Sequence, residues 1–358
     1  MNALKRFYRK DRHIARLILM IVAWMIFLAI TRFDKFYTIV NFQTMAGQFP
    51  EFGLMSLGAM ICMITGGIDL SSVGIANLAS ILMGMFMKAQ MDEAGEIAGW
   101  VIPAAFLMAV ALGAAAGMFS GVLISKIKIP PILATMGVNQ LLTGISMVVT
   151  GGNAVSKLPR AYSAMINNKI LKVLPGKRGT MMGLIPVQLI FFVVAAVLVW
   201  FLLNRTAYGK KLYMMGTSEN VARFSGVKVD SMLIKTYALS GVLAALGGIV
   251  VMIRSNSVQP TIGANLEFQA CVAAVLGGNV MEGGKGSVPG AVLGALTLYT
   301  IRSAMSLLGI DTSWVQVVIG MVLVIGMVLN NMAAHQEKKN SQATLSRARA
   351  QRSGGKGA

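Results

Sequence analysis

Long apolar stretches, separated by short polar or charged segments, follow one another from residue 14 to residue 332. A helix needs roughly 20 residues to cross a hydrocarbon core about 30 Å thick. In lipid the backbone polar groups must pair within the protein, which favours helices. The pattern therefore predicts an all-α integral membrane protein with about ten spans. The predicted spans lie near residues 14–31, 43–65, 72–88, 99–124, 130–150, 185–203, 234–253, 267–280, 288–308 and 314–332.

Composition supports a membrane protein and excludes several classes of function. Of the 358 residues 56% are apolar and 13% charged, with a mean hydropathy of +0.69, whereas soluble domains carry about 25% charged residues. Cys62 and Cys271 lie in apolar stretches, so no disulfide framework is implied. His13 and His335 lie in the basic ends of the chain. We therefore expect no enzyme activity, no metal site and no cofactor in this chain.

The positive charge is concentrated at both ends of the chain. Lys and Arg number 32 against 13 Asp and Glu, a net charge of +19, which on its own could indicate nucleic-acid binding. However, 6 of the positive residues lie in 1–16 and 6 in 338–356, next to apolar spans, as the positive-inside rule describes for cytoplasmic segments. We expect cytoplasmic tails at 1–13 and 333–358, the latter disordered, a transmembrane domain at 14–332, and contact with lipid rather than nucleic acid.

The loops test this topology, and one of them disagrees. With ten spans, the basic loops 125–129 and 204–233 fall in the cytoplasm and the acidic loop 88–98 falls outside. Loop 151–184 should also be external, yet it carries six basic residues and no acidic one. Either one span is miscounted or this basic surface has a role outside the cell.

The fourth span carries a ridge of small residues, one every fourth position. Such a ridge allows two helix backbones to approach closely in lipid, so we predict a packing role and no chemistry for it. The ridge consists of Ala109, Gly113, Gly117, Gly121 and Ser125.

Polar residues recur along one face of the second span and one face of the fifth. Polar groups in hydrocarbon are costly and usually face the bundle interior or a water-filled cavity, which predicts a translocation pathway. The structural alternative is that Ser and Thr bond the preceding turn and that Asn joins two helices. These residues are Thr44, Gln48 and Glu51 beside Pro50, and Thr135, Asn139, Thr143, Ser146 and Thr150.

Two glycine-rich breaks, 66–74 and 277–287, interrupt the apolar pattern. In the first, Asp69 precedes two serines, which predicts a helix N-cap or an acid in the pathway. The second includes Asn279, also a pathway candidate. It resembles a phosphate loop but lacks the required Gly before and hydroxyl residue after its lysine. We therefore expect that this chain does not hydrolyse ATP itself.

The segment 206–229 predicts a short capped helix within the cytoplasmic loop. Ser218 suits the N-cap, Glu219 the first turn, and Gly226 the left-handed stop after Ser225. Such a helix is either a docking element for a partner or a simple surface connector.

Four motifs resemble the permease subunits of ribose-type ABC importers, which share their membrane fold with the branched-chain amino-acid and vitamin B12 permeases. The resemblance covers residues 40–332, in order. One departure is the doubled Ser71-Ser72, where the usual pattern has a single Ser. The motifs are Gly-Gly-Ile-Asp-Leu-Ser at 66–71, Ala-Thr-Met-Gly at 134–137, the segment 206–229, and the run from 276 to 290.

The resemblance implies a type II importer bundle with cytoplasmic termini in a bacterial plasma membrane. Its partners would be a second permease copy or a sister permease, cytoplasmic ATPase subunits that bind ATP and magnesium, and an extracytoplasmic sugar-binding protein. The helix 218–225 would be the coupling helix, and the substrate a monosaccharide, with a nucleoside or furanone as alternatives. The matching coupling positions are Glu219, Ala222, Arg223 and Gly226.

This interpretation assigns the remaining candidates. A neutral, hydroxyl-rich solute fits a pathway of amides and hydroxyls, and the basic outer loop becomes a docking surface for an acidic binding protein. An ion-coupled secondary transporter and a passive pore remain alternatives, and neither needs a partner ATPase. The pathway residues are Gln48, Glu51, Asp69, Thr135, Asn139, Thr143 and Asn279, and the docking residues are Lys169, Lys172 and Lys177.

Overall fold

The computed structural model describes residues 12–167, 169–175 and 181–311, together with seven positions between 314 and 324. Helices dominate these ranges, and four short strands accompany them. The helices are α1 (Arg12–Phe36), α2 (Ile39–Ile64), α3 (Ser72–Ala89), α4 (Val101–Ser125), α5 (Pro131–Thr150), α6 (Arg160–Asn167), α7 (Val187–Arg205), α8 (Ala207–Thr217), α9 (Glu219–Phe224), α10 (Val229–Ser255), α11 (Leu266–Leu276) and α12 (Val288–Leu307).

Nine of the predicted spans correspond to helices whose ends differ from the prediction by at most five residues. Within the described ranges, seven helices are long and apolar enough to cross a membrane, namely α2, α3, α4, α5, α7, α10 and α12. The apolar segment Leu17–Thr31 of α1 and the helix α11 are shorter. The tenth predicted span, 314–332, lies mostly outside the described residues, so the count of ten and the cytoplasmic termini stay predictions.

Two helices, α2 and α10, form the centre of the bundle. Of their apolar windows 83% and 78% are buried, compared with 33% for α4 and 28% for α5 and α7. In the described bundle α10 contacts α2, α3 and α4 extensively, and α12 packs on α1, α2 and α11. The poorly buried helices expose their apolar side chains to the surroundings, as lipid-facing helices do.

The small-residue ridge of α4 packs against α10, as predicted. All five ridge positions are buried. A Cβ on Gly113 would lie 2.5 Å from the carbonyl oxygen of Gly241, and one on Gly121 would lie 2.7 Å from the Cα of Ile234. The two backbones are therefore in direct contact, with no side chain between them.

The helix ends follow the local sequence. The hydroxyl of Thr38 accepts a hydrogen bond from the amide of Asn41 at the start of α2, and Ser287 caps α12 in the same way through the amide of Gly290. Gly151 ends α5 in the left-handed conformation, with φ of 62°, which glycine adopts at little cost.

Four short strands lie in the region that we predicted to be loop. β1 (Val155–Ser156) pairs antiparallel with β4 (Ser257–Val258), and β2 (Lys169–Pro175) pairs antiparallel with β3 (Met181–Pro186). The all-α prediction therefore describes the bundle but missed these strands. β1 and β4 have two residues each, which is too short for an alternating pattern. The hairpin of β2 and β3 lies between two long apolar spans, whose hydropathy masks its own pattern.

Candidate functional site

The two glycine-rich breaks and the segment before α9 meet at one end of the bundle. The amide of Gly284 donates to the carbonyl of Ile64 at 2.9 Å. A Cβ on Gly283 would lie 2.8 Å from both the amide nitrogen of Gly66 and the carbonyl oxygen of Gly216. Gly283 also has φ of 91°, so only glycine fits there without strain. Three motifs that are far apart in sequence thus form one packed surface.

Asn279 lies in the second glycine-rich break, 277–287. Its side chain is fully buried, donates to the carbonyl of Ala274 at 2.6 Å and accepts from the amide of Ser287 at 2.9 Å. These bonds join the end of α11 to the start of α12. The structure therefore gives this predicted pathway residue two backbone partners at the end of the bundle.

The helix α9 has the caps that the sequence predicts. The hydroxyl of Ser218 accepts from the amide of Val221 at 3.4 Å, and Gly226 follows the helix with φ of 77°. Ala222 is fully buried, so it anchors the helix to the bundle and does not face a partner. This arrangement explains why a small residue occupies that position.

An ion-pair cluster ties α9 to its neighbours. Asp230 at the start of α10 accepts from Arg223 at 2.8 Å and lies 3.4 Å from the ammonium of Lys128, in the loop between α4 and α5. Arg223 also pairs with Glu219 at 2.8 Å. These carboxylates raise the pKa of Arg223. Such exposed pairs contribute little stability, but they place two of the predicted cytoplasmic loops on one face.

The most exposed apolar side chain of α9 escaped the sequence analysis. Phe224 is 93% exposed and Val221 is 56% exposed. The neighbouring helix α8 is held firmly, because the Tyr208 hydroxyl lies 2.8 Å from that of Thr236 and burial raises the pKa of Tyr208 to about 12. The available sequence signal for this surface was Phe224 itself, an aromatic residue at the end of a short helix in a charged loop.

Asp69 lies inside the bundle. One carboxylate oxygen accepts from the amide and hydroxyl of Ser71, and the other accepts from the hydroxyl of Ser240 at 2.6 Å. The N-cap residue of α3 is Ser71, which makes no side-chain capping bond. The sequence predicts that Asp69 and the serines after it cap α3. In the structure they form a local turn instead, and the bond from Ser240 joins this turn to α10.

The cap of α3 comes instead from α5. The side-chain oxygen of Asn139 accepts from the amide of Gly74 at 2.7 Å. Thr135 is fully buried and bonds the carbonyls of Pro131 and Ile68, while Thr143 is half-buried. Asn139 thus joins two helices, as the structural alternative predicted for it.

A polar cavity of about 340 Å³ contains the remaining pathway candidates. The Glu51 carboxylate accepts from the Arg254 guanidinium at 3.0 Å, and Gln48 accepts from the Tyr299 hydroxyl at 2.8 Å. The cavity is lined by Asn41, Thr44, Gln48, Glu51, Phe52, Arg254, Leu266, Tyr299, Arg302, Ser303, Ser306 and Leu307.

The cavity lies toward the end of the bundle opposite to α9. Asp230 and Arg254 lie on the same helix, and their 24-residue separation corresponds to about 36 Å along its axis. In the predicted topology this is the external end. The cavity lining adds Arg254 and Arg302 to the Gln48 and Glu51 that the sequence predicts for the pathway. In the described part of the chain, no three His, Cys, Asp or Glu side chains cluster as metal ligands would.

Comparison with known proteins identifies the family. A family model described as branched-chain amino acid transport system / permease component matches residues 41–327. The chain belongs to this permease family. No solved structure matches it. Family membership and the apolar helices make this permease a multi-pass protein of the bacterial inner membrane.

Three relatives of this permease are named for different solutes. It is 34% identical to the ribose import permease protein RbsC of Bacillus subtilis (strain 168) over 295 residues, 81% of this chain and 84% of the relative. It is 32% identical over 326 residues to the autoinducer 2 import system permease protein LsrC of Escherichia coli (strain SMS-3-5 / SECEC), covering 91% and 88%. It is 28% identical over 296 residues to the fructose import permease protein FrcC of Rhizobium meliloti, covering 83% and 79%.

Two of the three lysines of the predicted docking surface lie in the hairpin formed by β2 and β3. Lys169 and Lys172 belong to β2, opposite Pro186 and Gly183 of β3. Lys177 lies outside the described residues. The docking role stays a prediction.

Proposed function

We propose that this chain is the membrane permease of an ABC importer for a monosaccharide or a similar small polyhydroxy solute. A separate cytoplasmic ATPase would power it, and an extracytoplasmic binding protein would supply the solute. The observation that carries the proposal is the capped helix α9. Ala222 holds this helix to the bundle, and Phe224 is exposed on its surface. The names of the relatives, which mention ribose, autoinducer 2 and fructose, support the class of solute.

The proposed coupling surface consists of Phe224 and Val221, with Glu219 and Arg223 beside them. Exposed aromatic side chains of this kind are typical anchors of protein interfaces. ATP-driven closure of the ATPases would move α9 as a rigid body and switch the bundle between two access states. Glu51 and Asp69, the two acids that an ion-coupled transporter could use, already have partners in Arg254 and in serine hydroxyls.

Co-purification with the ATPase subunit tests the coupling surface. The change Phe224→Ala should weaken the association about tenfold or more, as expected for an aromatic anchor, without reducing the yield of folded permease. Phe119→Ala on the exposed face of α4 is the matched control, since Phe119 is 47% exposed but far along the chain from α9. Equal association of the two variants would contradict the proposed surface.

Reconstitution tests the transport class. Proteoliposomes that contain this chain, the ATPase and the binding protein should accumulate labelled monosaccharide only with ATP. A passive pore or an ion-coupled transporter would instead move solute through the chain alone. Uptake by the chain alone, with or without an ion gradient, would therefore refute the importer proposal.

The outer hairpin is proposed to receive the binding protein. Changing Lys169, Lys172 and Lys177 to Glu reverses the charge that would attract an acidic partner. The concentration of binding protein that gives half-maximal transport should rise, while the maximal rate is retained. An unchanged half-saturation would exclude this docking role.

A further inference from the structure

The polar cavity is built by two helix faces that point toward each other. On α2 the lining positions 41, 44, 48 and 51 recur with helical spacing, and on α12 the positions 299, 302, 303 and 306 do the same. Hydroxyl and amide groups occupy most of these positions, and the aromatic ring of Tyr299 lies among them. A volume of about 340 Å³ is within the range of small-molecule sites.

The charges of this cavity do not balance. Glu51 is paired with Arg254, and its side chain is only 14% exposed. Arg302 also lines the cavity, and within the described ranges it takes part in no salt bridge. Two guanidinium groups therefore face one carboxylate, in a protein whose surroundings include lipid. Arg302 is exposed, so its unpaired positive charge is accessible to a ligand and attracts an anion.

Arginine also determines the geometry of the ligand that fits. A guanidinium presents parallel donors that match the two oxygens of a carboxylate. The neighbouring Gln48, Ser303 and Ser306 offer groups that can bond hydroxyls. A ligand with a carboxylate beside several hydroxyl groups satisfies both parts of the lining.

We infer that this cavity binds the solute during its passage, and that the solute class it prefers is the sugar acids, monosaccharides that carry a carboxylate. Arg302 contacts the carboxylate, and the facing side chains of α2 and α12 contact the hydroxyls. The Glu51–Arg254 pair orients the second guanidinium at the cavity wall. This inference rests on the proposed function for the passage of solute, but the binding preference can be measured without transport.

The inference differs from a simple structural role of Arg302. The residue lies one turn before the C-terminal turn of α12, and a cation close to a helix C-terminus interacts favourably with the helix dipole. A dipole role requires only a positive charge and no ligand. A headgroup role would require an anionic phospholipid. Sugar-acid binding requires a preference for the carboxylate over the same sugar without it, and the three roles are separable by experiment.

The direct test measures binding of D-glucuronate and D-glucose, which share one ring and differ at one carboxylate. The full chain is placed in phosphatidylcholine nanodiscs, and binding is followed by saturation-transfer NMR. We expect glucuronate to bind at least about tenfold more tightly than glucose, the effect of a charged hydrogen bond. Arg302→Gln should abolish that preference, whereas Arg302→Lys should keep part of it. Arg205→Gln, at the end of α7, is the matched control and should keep all of it.

The outcomes separate this inference from the proposed function. Equal binding of the two sugars overturns the inference, as does a preference that survives Arg302→Gln. A requirement for phosphatidylglycerol in the nanodiscs, together with its displacement in Arg302→Gln, assigns the charge to a lipid headgroup and also overturns it. If glucuronate binds as expected but the complete complex shows no ATP-driven uptake, the proposed function fails while the binding site stands. If the complete complex takes up glucose with ATP but the chain shows no preference for glucuronate, the inference fails while the proposed function stands.

Discussion

The contact between α4 and α10 makes a quantitative prediction about Gly113. In Gly113→Ala the new methyl group would lie 2.5 Å from the carbonyl oxygen of Gly241 and 2.6 Å from the Cβ of Ala245. Both distances fall about 0.9 Å short of ordinary van der Waals contact, which begins near 3.4 Å. The obstacle at Gly241 is backbone, so a rotamer change cannot relieve it. The two helices must separate instead.

The expected cost follows from a balance of two effects. Overpacking a tight contact costs about 1–3 kcal/mol, and replacing glycine by alanine within a helix returns up to about 1 kcal/mol. Gly137→Ala on α5 is a control that isolates the first effect. A Cβ at Gly137 meets nothing within 4 Å, so this variant gains the helix propensity without the collision. Gly113→Ala should therefore be less stable than Gly137→Ala by about 1–3 kcal/mol.

The chain carries its own reporter for this measurement. Cys62 and Cys271 are its two cysteines, and both are buried. A thiol-reactive dye should label them only as the bundle opens during heating. Gly113→Ala should then melt several degrees below Gly137→Ala in the same detergent. Equal melting temperatures would refute the conclusion that backbone contact holds α4 to α10.

Three further changes test other contacts. Asn139→Ala removes the cap of α3 and should cost about 1 kcal/mol in the same melting assay, whereas Gln140→Ala on the exposed face should cost less; equal losses would contradict the capping role. Ser240→Ala removes a bond to the buried Asp69 carboxylate and should destabilise the bundle by about 1–3 kcal/mol; an unchanged melting temperature would show that the bond is dispensable. Asp230→Asn should leave the melting temperature nearly unchanged, because exposed ion pairs contribute little stability. It should nevertheless lower the amount of solute transported per ATP hydrolysed. An unchanged amount per ATP would exclude a role of Asp230 in coupling.

The length of the apolar segments explains which parts of the fold the sequence predicts. Helices that cross lipid need long apolar segments, and this requirement fixes α3 and α5 to within one residue of the predicted ends. α10 begins five residues before its predicted start, because Val229–Leu233 includes Asp230 and has the polarity of a loop. The short strands near 155 and 257 pair across about a hundred residues, and no local pattern encodes such a pairing.

The candidate site was predictable only where its signal is local. The caps of α9 depend on Ser218 and Gly226, which lie within two residues of the helix ends, and the sequence predicts both. The pairing of Asn139 with Gly74 depends on how α5 packs against α3, which no local spacing reveals. The position of Arg302 beside the polar cavity depends on how α12 faces α2, whose lining residues lie about 250 positions away in the sequence. Periodicity along one helix cannot show which other helix faces it.

The helix α10 links the two ends of the proposed permease. Asp230 at its start holds α9 through Arg223, and Arg254 in its last turn pairs with Glu51 in the polar cavity. Between these points α10 touches α4 by direct backbone contact at Gly241, so the two helices cannot slide independently without opening that contact. A displacement of α9 therefore acts on the same rigid pair that carries one wall of the cavity. Packed cores respond to such displacements by switching between discrete arrangements rather than by gradual deformation, and an importer that exposes its cavity to one side at a time requires that property.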